Sequence, residues 1–374
     1  MTDKAPARKV LPRSSVSGIP TALGLRTDAG AWDDWVRASQ LGFHTQLNAW
    51  ATVKAANGWS SVRVVADGGS GPIGALVLTR KIGPGPFGVG YAPRGPIATR
   101  WDEASLEAFG VALKRTARRL KLSHVTIEPP LEVDAVLTDL LADAGWKRAD
   151  HVQPERTWEV PLARPEAELF GDLRSKWRQY VNKARRAGTV VTEGGRDDLE
   201  TFYEIFVDTA RRTGFIPRTL DSYRAVWDAF APSGAAQLLF ARHSTGEPAA
   251  VLFLVRCGGR VVEPYGGMTP AGAASRANYL LKWEAIRRSN EAGARVYDMW
   301  GLAHAGIEQF KQGFGGREAN YIGAYDLQTL PLLRNVVVTG RRVWVPVARR
   351  IYAVRNRGAG EGAAAGKAQL PGDS

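Results

Sequence analysis

The stretch Gly306–Gly316 (GIEQFKQGFGG) holds the residues best suited to chemistry. It joins a short amphipathic pattern to Lys311 and to a turn with glycines at 313, 315 and 316. Glycine lets a backbone approach a ligand closely and leaves N–H groups free to donate. Lys311 sets one flexible positive charge beside them. Such a group suits an oxyanion or a phosphate. It equally suits a glycine-rich helix stop carrying a surface lysine, and the residues alone leave both readings open.

Other chemistries find less support. The single cysteine, Cys257, rules out an internal disulfide framework and a CxxC metal site. Between Val255 and Gly258 it reads as a strand residue. The five histidines show no HxxxH or HExxH spacing, which argues against zinc hydrolysis. No Ser or Cys triad stands out. The expectation is a site with neither metal nor cofactor.

Charge points to the partners. Of 374 residues, 50 are Lys or Arg and 37 are Asp or Glu, a net of +13. Leu173–Thr192 carries six basic residues and no acid, and Leu327–Gly360 carries seven and no acid. The remainder cancels. A neutral globule with two basic elements suits phosphate-bearing partners: nucleic acid, a nucleotide-sugar or anionic lipid. A hydrophobic fraction of 44% supports a real core. No run of about 18 apolar residues is present, and the first twenty residues lack the apolar region of a signal peptide. These features predict a cytoplasmic protein.

The elements that must position such residues repeat along the chain. SVRVVADGGSGPIGALVLTR and AQLLFARHSTGEPAAVLFLVR each read as two strands joined by a turn. VGYAPRG follows the first pair and VVEPYGG the second. Gly74 and Pro248 are 174 residues apart, as are Tyr91 and Tyr265. A helical pattern follows each tyrosine: Ser105–Lys121, with Ser105 as N-cap, and NYLLKWEAIRRSNEAG, ending at Gly293. A strand, a short helix and a Gly-aromatic turn complete each unit. The predicted fold is α+β, with helices packed on mostly antiparallel sheets. Its element order resembles the GNAT acyltransferase fold. The predicted organisation is a loose leader (1–25), two tandem GNAT-like domains (26–160 and 161–330), a basic amphipathic extension (331–357) and a disordered tail (358–374).

An acetyl-CoA-dependent GNAT enzyme normally carries R/Q-x-x-G-x-G/A at the start of its main helix. Phe310-Lys-Gln-Gly-Phe-Gly has the glycine spacing, but Phe310 leads it and it falls late in the repeat. A CoA-dependent N-acyltransferase is therefore the second reading, and a non-catalytic tRNA- or membrane-binding protein is the third.

Several ordered pieces carry a closer resemblance. They are Lys176-Trp-Arg-Gln-Tyr-Val-Asn-Lys-Ala-Arg-Arg-Ala-Gly188, Thr213-Gly-Phe-Ile-Pro-Arg-Thr-Leu-Asp-Ser-Tyr223, Asn278-Tyr-Leu-Leu-Lys-Trp-Glu-Ala-Ile286, Tyr297-Asp-Met-Trp-Gly301 and Phe310-Lys-Gln-Gly-Phe-Gly-Gly316. In the first half, Gln46-Leu-Asn-Ala-Trp50, Lys54 and Tyr91-Ala-Pro-Arg-Gly-Pro96 also fit. Over residues 40–330 the chain resembles the FemABX family of non-ribosomal peptidyltransferases, which build peptidoglycan interpeptide bridges.

The resemblance implies two tandem GNAT-like domains and no CoA. It implies an aminoacyl-tRNA donor and a muropeptide acceptor, either lipid II or its UDP-linked relative. The new peptide bond forms on the stem-peptide side-chain amine. Lys311, with Phe310 beside it, resembles the family's catalytic position, where the lysine stabilises charge. Lys54 and Arg218 match positions that grip the precursor diphosphate, an arginine by a bidentate clamp and a lysine as a point charge. Tyr91, Arg94, Tyr265, Asn278, Tyr279 and Gly315 are implied substrate contacts, and for the three tyrosines ordinary sheet-to-helix packing is the alternative. Asp298 either orients the amine or caps a strand end.

Two departures stand out. Thr99 occupies the place where many members carry an aspartate, with Asp102 the nearest acid, so proton transfer assisted by the substrate is expected. The ten or so residues between Thr192 and Phe202 leave no room for a long helical arm.

For the basic helix (Arg174, Lys176, Arg178, Lys183, Arg185 and Arg186) the candidate partner is the tRNA acceptor stem, and a solvated basic helix is the alternative. Arg174, Arg178 and Arg185 fall near one face. Residues 332–357 alternate arginine pairs with Val, Trp, Ile and Tyr, as an interfacial stretch against inner-leaflet anionic lipid does. A tRNA-binding extension is the rival.

Overall fold

The computed structural model of the chain describes residues 21–340 and Arg342. In the first half the strands are β1 (Ser60–Asp67), β2 (Pro72–Lys81), β3 (Gly88–Pro93), β4 (Ile97–Ala98), β5 (Leu122–Glu128) and β6 (Lys147–Arg148). The second half supplies β7 (Arg156–Pro161), β8 (Val190–Gly194), β9 (Ala236–Arg242), β10 (Pro248–Cys257), β11 (Arg260–Met268), β12 (Val296–Gly301), β13 (Arg317–Asn320) and β14 (Tyr325–Gln328).

They form two mixed sheets. The first runs β1-β2-β3-β5-β14-β6, with β4 against β2, and the second runs β13-β7-β12-β11-β10-β9-β8. The repeat read from the sequence is thus a repeat of topology: β1-β2-β3-β5 corresponds to β9-β10-β11-β12. In each unit one pair is parallel, β3 with β5 and β11 with β12, and the neighbouring pairs are antiparallel. A crossover helix joins the parallel strands, as it must: Glu103–Arg119 in the first unit and Ala277–Glu291 in the second.

The central hairpin strands are buried on both faces, which is why β2 and β10 read as nearly unbroken apolar runs. Leu76 and Leu78 of β2 join a core shared by the two halves, while Ile73, Ala75 and Val77 face an outer core under Glu103–Arg119. In β10, Val251, Phe253, Val255 and Cys257 meet the shared core, and Ala250, Leu252 and Leu254 face a second outer core. Cys257 is the strand residue expected, and burial pushes its thiol up to about 12.

Several local expectations change. Asp102, not Ser105, caps the first crossover helix: its Oδ1 accepts from Ser105 N at 2.9 Å, and Ser105 lies buried inside the first turn. Residues 22–25 are not loose leader, because Ala22–Thr27 is a helix whose Leu25 is fully buried in the shared core. The position 160/161 falls inside β7, and β14 returns to pair with β5 in the first sheet, so each sheet takes a strand from beyond its own unit. Residues 331–340 are helical. Most of the expected leader, the rest of the 331–357 extension and the 358–374 tail lie outside the described residues. Between β8 and the helix Leu199–Thr213 there is only a short turn, Arg196–Asp198, in keeping with the absence of an arm at that point.

Candidate functional site

The site gathers where β12 ends. Asp298 is fully buried. Its Oδ1 accepts from Thr157 Oγ1 at 2.5 Å and from Trp300 N at 2.8 Å, and Arg260 Nη1 donates to Oδ2 at 3.0 Å. Trp300 takes φ +62, so the chain turns sharply there. This turn aims the carbonyls of Met299, Trp300 and Gly301 at one point. Lys311 Nζ occupies that point and donates to them at 2.6, 3.1 and 2.7 Å. The helix Ala305–Gln312, capped by His304, carries Lys311 back to the strand it follows.

The site lysine is therefore buried rather than on the surface, and three backbone oxygens take its three donors. Burial, with Lys282 nearby as the second cause, brings its pKa from 10.5 down to about 7. Lys282 is itself buried and ion-paired with Glu263 Oε1, while Tyr297 donates to Glu263 Oε2 at 2.6 Å. A group titrating near neutrality can carry the positive charge that an oxyanion requires, or take a proton.

The glycines after Lys311 serve packing. A Cβ on Gly313 would lie 2.2 Å from Trp177 Nε1, one on Gly315 would lie 2.8 Å from Asp172 Cβ, and one on Gly316 would lie 2.2 Å from the Glu159 carbonyl oxygen. Gly315 and Gly316 also have positive φ. The close approach expected of these glycines is real, but it is made to the protein's own chain. Gly315 O accepts from Trp158 Nε1 at 2.6 Å.

Phe310 differs from its expected catalytic place. Its ring packs against Tyr279 and Phe314 at 5.1 and 5.2 Å, and its carbonyl accepts from Trp177 Nε1 at 3.0 Å. A phenyl ring offers no acid, base or nucleophile, and the centroid of this one lies 5.8 Å from Lys282 Nζ. Tyr279 joins this aromatic group, which extends to Trp177 and Tyr180. Asn278, one residue earlier, is half-buried, and its Oδ1 is buried with no hydrogen-bond partner.

A second group reaches the same turn from the first half. Lys54 is buried 4.8 Å from the Trp50 ring centroid. Trp50 meets His44 at 5.5 Å, and His44 meets Trp300 at 6.2 Å. Burial first, then the Arg94 charge, lowers the His44 pKa to about 3, so this imidazole is neutral. A third group holds Arg218 and Tyr265: Arg218 N donates to Tyr223 OH at 3.1 Å, and the Tyr223 and Tyr265 rings lie 5.0 Å apart. The helix that follows Arg218, Leu220–Phe230, packs on the Asn48–Ala55 helix that carries Lys54.

Three expected substrate contacts are enclosed. Arg94 is 2% exposed, held over Tyr321 at 4.3 Å, Trp300 at 5.3 Å and Phe43 at 5.4 Å, with Nη2 donating to Pro154 O. Tyr91 is buried, donating to Glu128 and accepting from Gln153 Nε2 at 2.8 Å. Asp298 has the capping geometry, not the amine-orienting one, since the Trp300 amide and Arg260 take its oxygens. All three side chains are enclosed by the fold, with Arg94 Nε buried and without a hydrogen-bond partner.

The basic helix is Ser175–Arg186. Val181 and Ala184 anchor it, and Arg174 N donates to Gly313 O at 2.9 Å, fixing it to the lysine's turn. The expected arginine face is partly consumed. Arg178 folds back on the carbonyls of Gly171 and Leu173, and Arg185 pairs with Glu284 at 2.9 Å. Arg174, Lys176, Lys183 and Arg186 are exposed.

Residues 27–140 match the FemAB family, and residues 171–312 match the acetyltransferase (GNAT) domain. The first half of the chain is thus similar to the FemAB family. Among curated relatives, the lipid II:glycine glycyltransferase of Staphylococcus haemolyticus is 31% identical over 222 residues, covering 56% of this chain and 53% of the relative. The protein of the same description from Staphylococcus aureus strain MRSA252 is 29% identical over 223 residues, covering 56% and 52%. The chain thus matches about half the length of these relatives. The solved structure of FemX superposes with a TM-score of 0.75 at 21% identity, covering 83% of this chain and 98% of that one. That likeness establishes the fold.

Sequence reading missed some members of the site. Lys282 lay within the quoted segment Asn278–Ile286 but was not singled out, and its partner Glu263 is two residues before Tyr265. His44 is two residues before the quoted Gln46. Their signal was a titratable residue within or beside a matching segment.

Proposed function

We propose that this chain is an aminoacyltransferase that forms a peptide bond on the stem-peptide side-chain amine of a peptidoglycan precursor, lipid II or its UDP-linked form. The donor in this reading is aminoacyl-tRNA. Supporting it are the match of residues 27–140 to the FemAB family and the similarity to lipid II:glycine glycyltransferases. The single observation that carries it is Lys311: a buried amine with its pKa near 7, held at the end of the strand after the crossover helix.

The donor ester is already activated, so the enzyme's task is to position a neutral amine and to stabilise the tetrahedral oxyanion. Lys311 serves the second need. Lys54 and Arg218 serve the diphosphate, and Tyr265, Asn278, Tyr279 and the Gly315 turn wall the cleft around the muropeptide. Arg174, Lys176, Lys183 and Arg186 face the tRNA acceptor stem. The two GNAT-like units are the repeats built on β1-β2-β3-β5 and β9-β10-β11-β12, and residues 332–357 reach anionic lipid at the inner face of the membrane.

The test supplies tRNA charged with a labelled amino acid, together with lipid II in one arm and the UDP-linked precursor in another. Label in the muropeptide is the expected result. No transfer in either arm, with turnover on acetyl-CoA, would overturn the proposal.

A further inference from the structure

Three segments meet around a cleft of about 280 Å³ lined by Pro86, Phe87, Arg118, Lys121, Leu122 and Leu330. They join because Thr329 and Leu330 both donate their amides to Ser123 O at 3.0 Å, and Gly88 N donates to Lys121 O at 3.1 Å. Phe87, Leu120 and Leu330 are each exposed by nearly two-fifths. The chain runs directly from Leu330 into the helical residues 331–340, where Leu332 is 85% exposed and Val336 is 69% exposed.

The three segments that meet at this apolar surface carry charge of one sign. Residues 80–88 hold two basic side chains, residues 114–121 hold five and residues 327–342 hold three, and none of the three segments contains an acid. Arg334 and Arg342 are neutralised from outside these turns by Asp326 and Asp150; Asp326 belongs to β14 and Asp150 follows β6. Lys114, Arg115, Arg118, Arg119 and Lys121 enter none of the salt bridges formed among the described residues. Exposed apolar side chains between cations match the two layers of a lipid interface, acyl chains beneath and anionic headgroups above. A nucleic acid would use the cations and leave Phe87 and Leu330 in water.

We infer that this cleft, with Phe87 and Leu330 at its mouth and Arg118 and Lys121 beside it, is a docking surface for an anionic bilayer. The surface belongs to the folded first sheet and its crossover helix. It is independent of the transfer chemistry, and it places lipid contact on the first sheet as well as on the 332–357 stretch.

The test uses the full chain. Phe87→Cys is labelled with an environment-sensitive fluorophore, since Cys257 is buried with a raised pKa and stays unlabelled. Val133→Cys, at an exposed position away from the cleft, is the reference. Vesicles of phosphatidylglycerol and phosphatidylcholine should blue-shift the label at 87 and leave 133 unchanged, and pure phosphatidylcholine should shift neither. Adding Arg118→Gln and Lys121→Gln should weaken partition about 30-fold, the loss expected from two basic residues at a membrane surface. Vesicle binding with no shift at 87 overturns the proposal, assigning the contact to other residues. A shift at 87 without vesicles on adding tRNA overturns it in favour of nucleic acid, and a label already shielded in buffer overturns it in favour of the chain's own C-terminal residues. Transfer to the UDP-linked acceptor, measured alongside, reports separately on the proposed reaction.

Discussion

The Trp300 ring lies 5.3 Å from the Arg94 guanidinium, and the Trp300 backbone oxygen accepts a hydrogen bond from Lys311. One residue therefore links an arginine of the first half to the lysine of the second. The turn that presents three carbonyls to Lys311 is braced by the opposite sheet, and the site is a product of how the halves meet.

Replacing Lys311 with Met tests its proposed part in the transfer together with its part in the fold. Loss of one charge directed at an oxyanion should lower turnover about a hundredfold. It should also lower stability, because a buried carbonyl left without a donor costs about 1–3 kcal/mol. Turnover and urea denaturation measured on one preparation check both. A sequence reading that places Lys311 on the surface expects no stability loss.

The lowered pKa of Lys311 makes stability depend on pH. Between about 7 and 10.5 the unfolded chain holds a proton on this amine that the folded chain has released. Stability therefore rises with pH in that window and gains nothing from this group below it, with a slope of up to about 1.4 kcal/mol per pH unit. The difference in unfolding free energy between the wild type and Lys311→Met, followed from pH 6 to 10, should show this slope. A flat difference would place the amine in contact with water.

Glu263→Gln leaves Lys282 buried without its carboxylate. Breaking one side of such a pair costs about 3–5 kcal/mol. It also removes a negative charge that supports protonation of Lys311. The pH profile of turnover should move to lower pH along with the loss of stability, and Lys282→Met should move it the other way.

Two glycine replacements separate packing from conformation. Gly293→Ala places a methyl in open space at φ +72 and should cost about 1 kcal/mol. Gly316→Ala, at φ +88, drives Cβ against the Glu159 carbonyl and should cost about 3 kcal/mol or more. Equal losses of thermal stability would contradict the backbone contact.

Much of this fold was legible because it repeats. The 174-residue offset between Tyr91 and Tyr265 marks β3 and β11, and the alternating hairpins mark β1-β2 and β9-β10. Lys311 stood out because a lone lysine sits against a glycine-rich turn. What stayed hidden depends on distance in space. Arg94 and Asp298 sit in matching segments, yet the rings around one and Arg260 beside the other enclose them, and burial leaves no mark on a single residue type. Glu263 and Lys282 lie on different elements, so their pairing has no sequence spacing. β14 is four residues long, and its register with β5, Tyr325 opposite Ile127 and Gln328 opposite His124, spans about 200 positions.

That short strand bears on synthesis at the ribosome. Until residues 325–328 have left the exit tunnel, β5 is an unpaired edge in a sheet whose other members were translated long before. The amino-terminal sheet is begun early and closed last. Nascent chains are thus open to edge-to-edge association for most of translation, and a break between the two repeats would leave neither fragment whole.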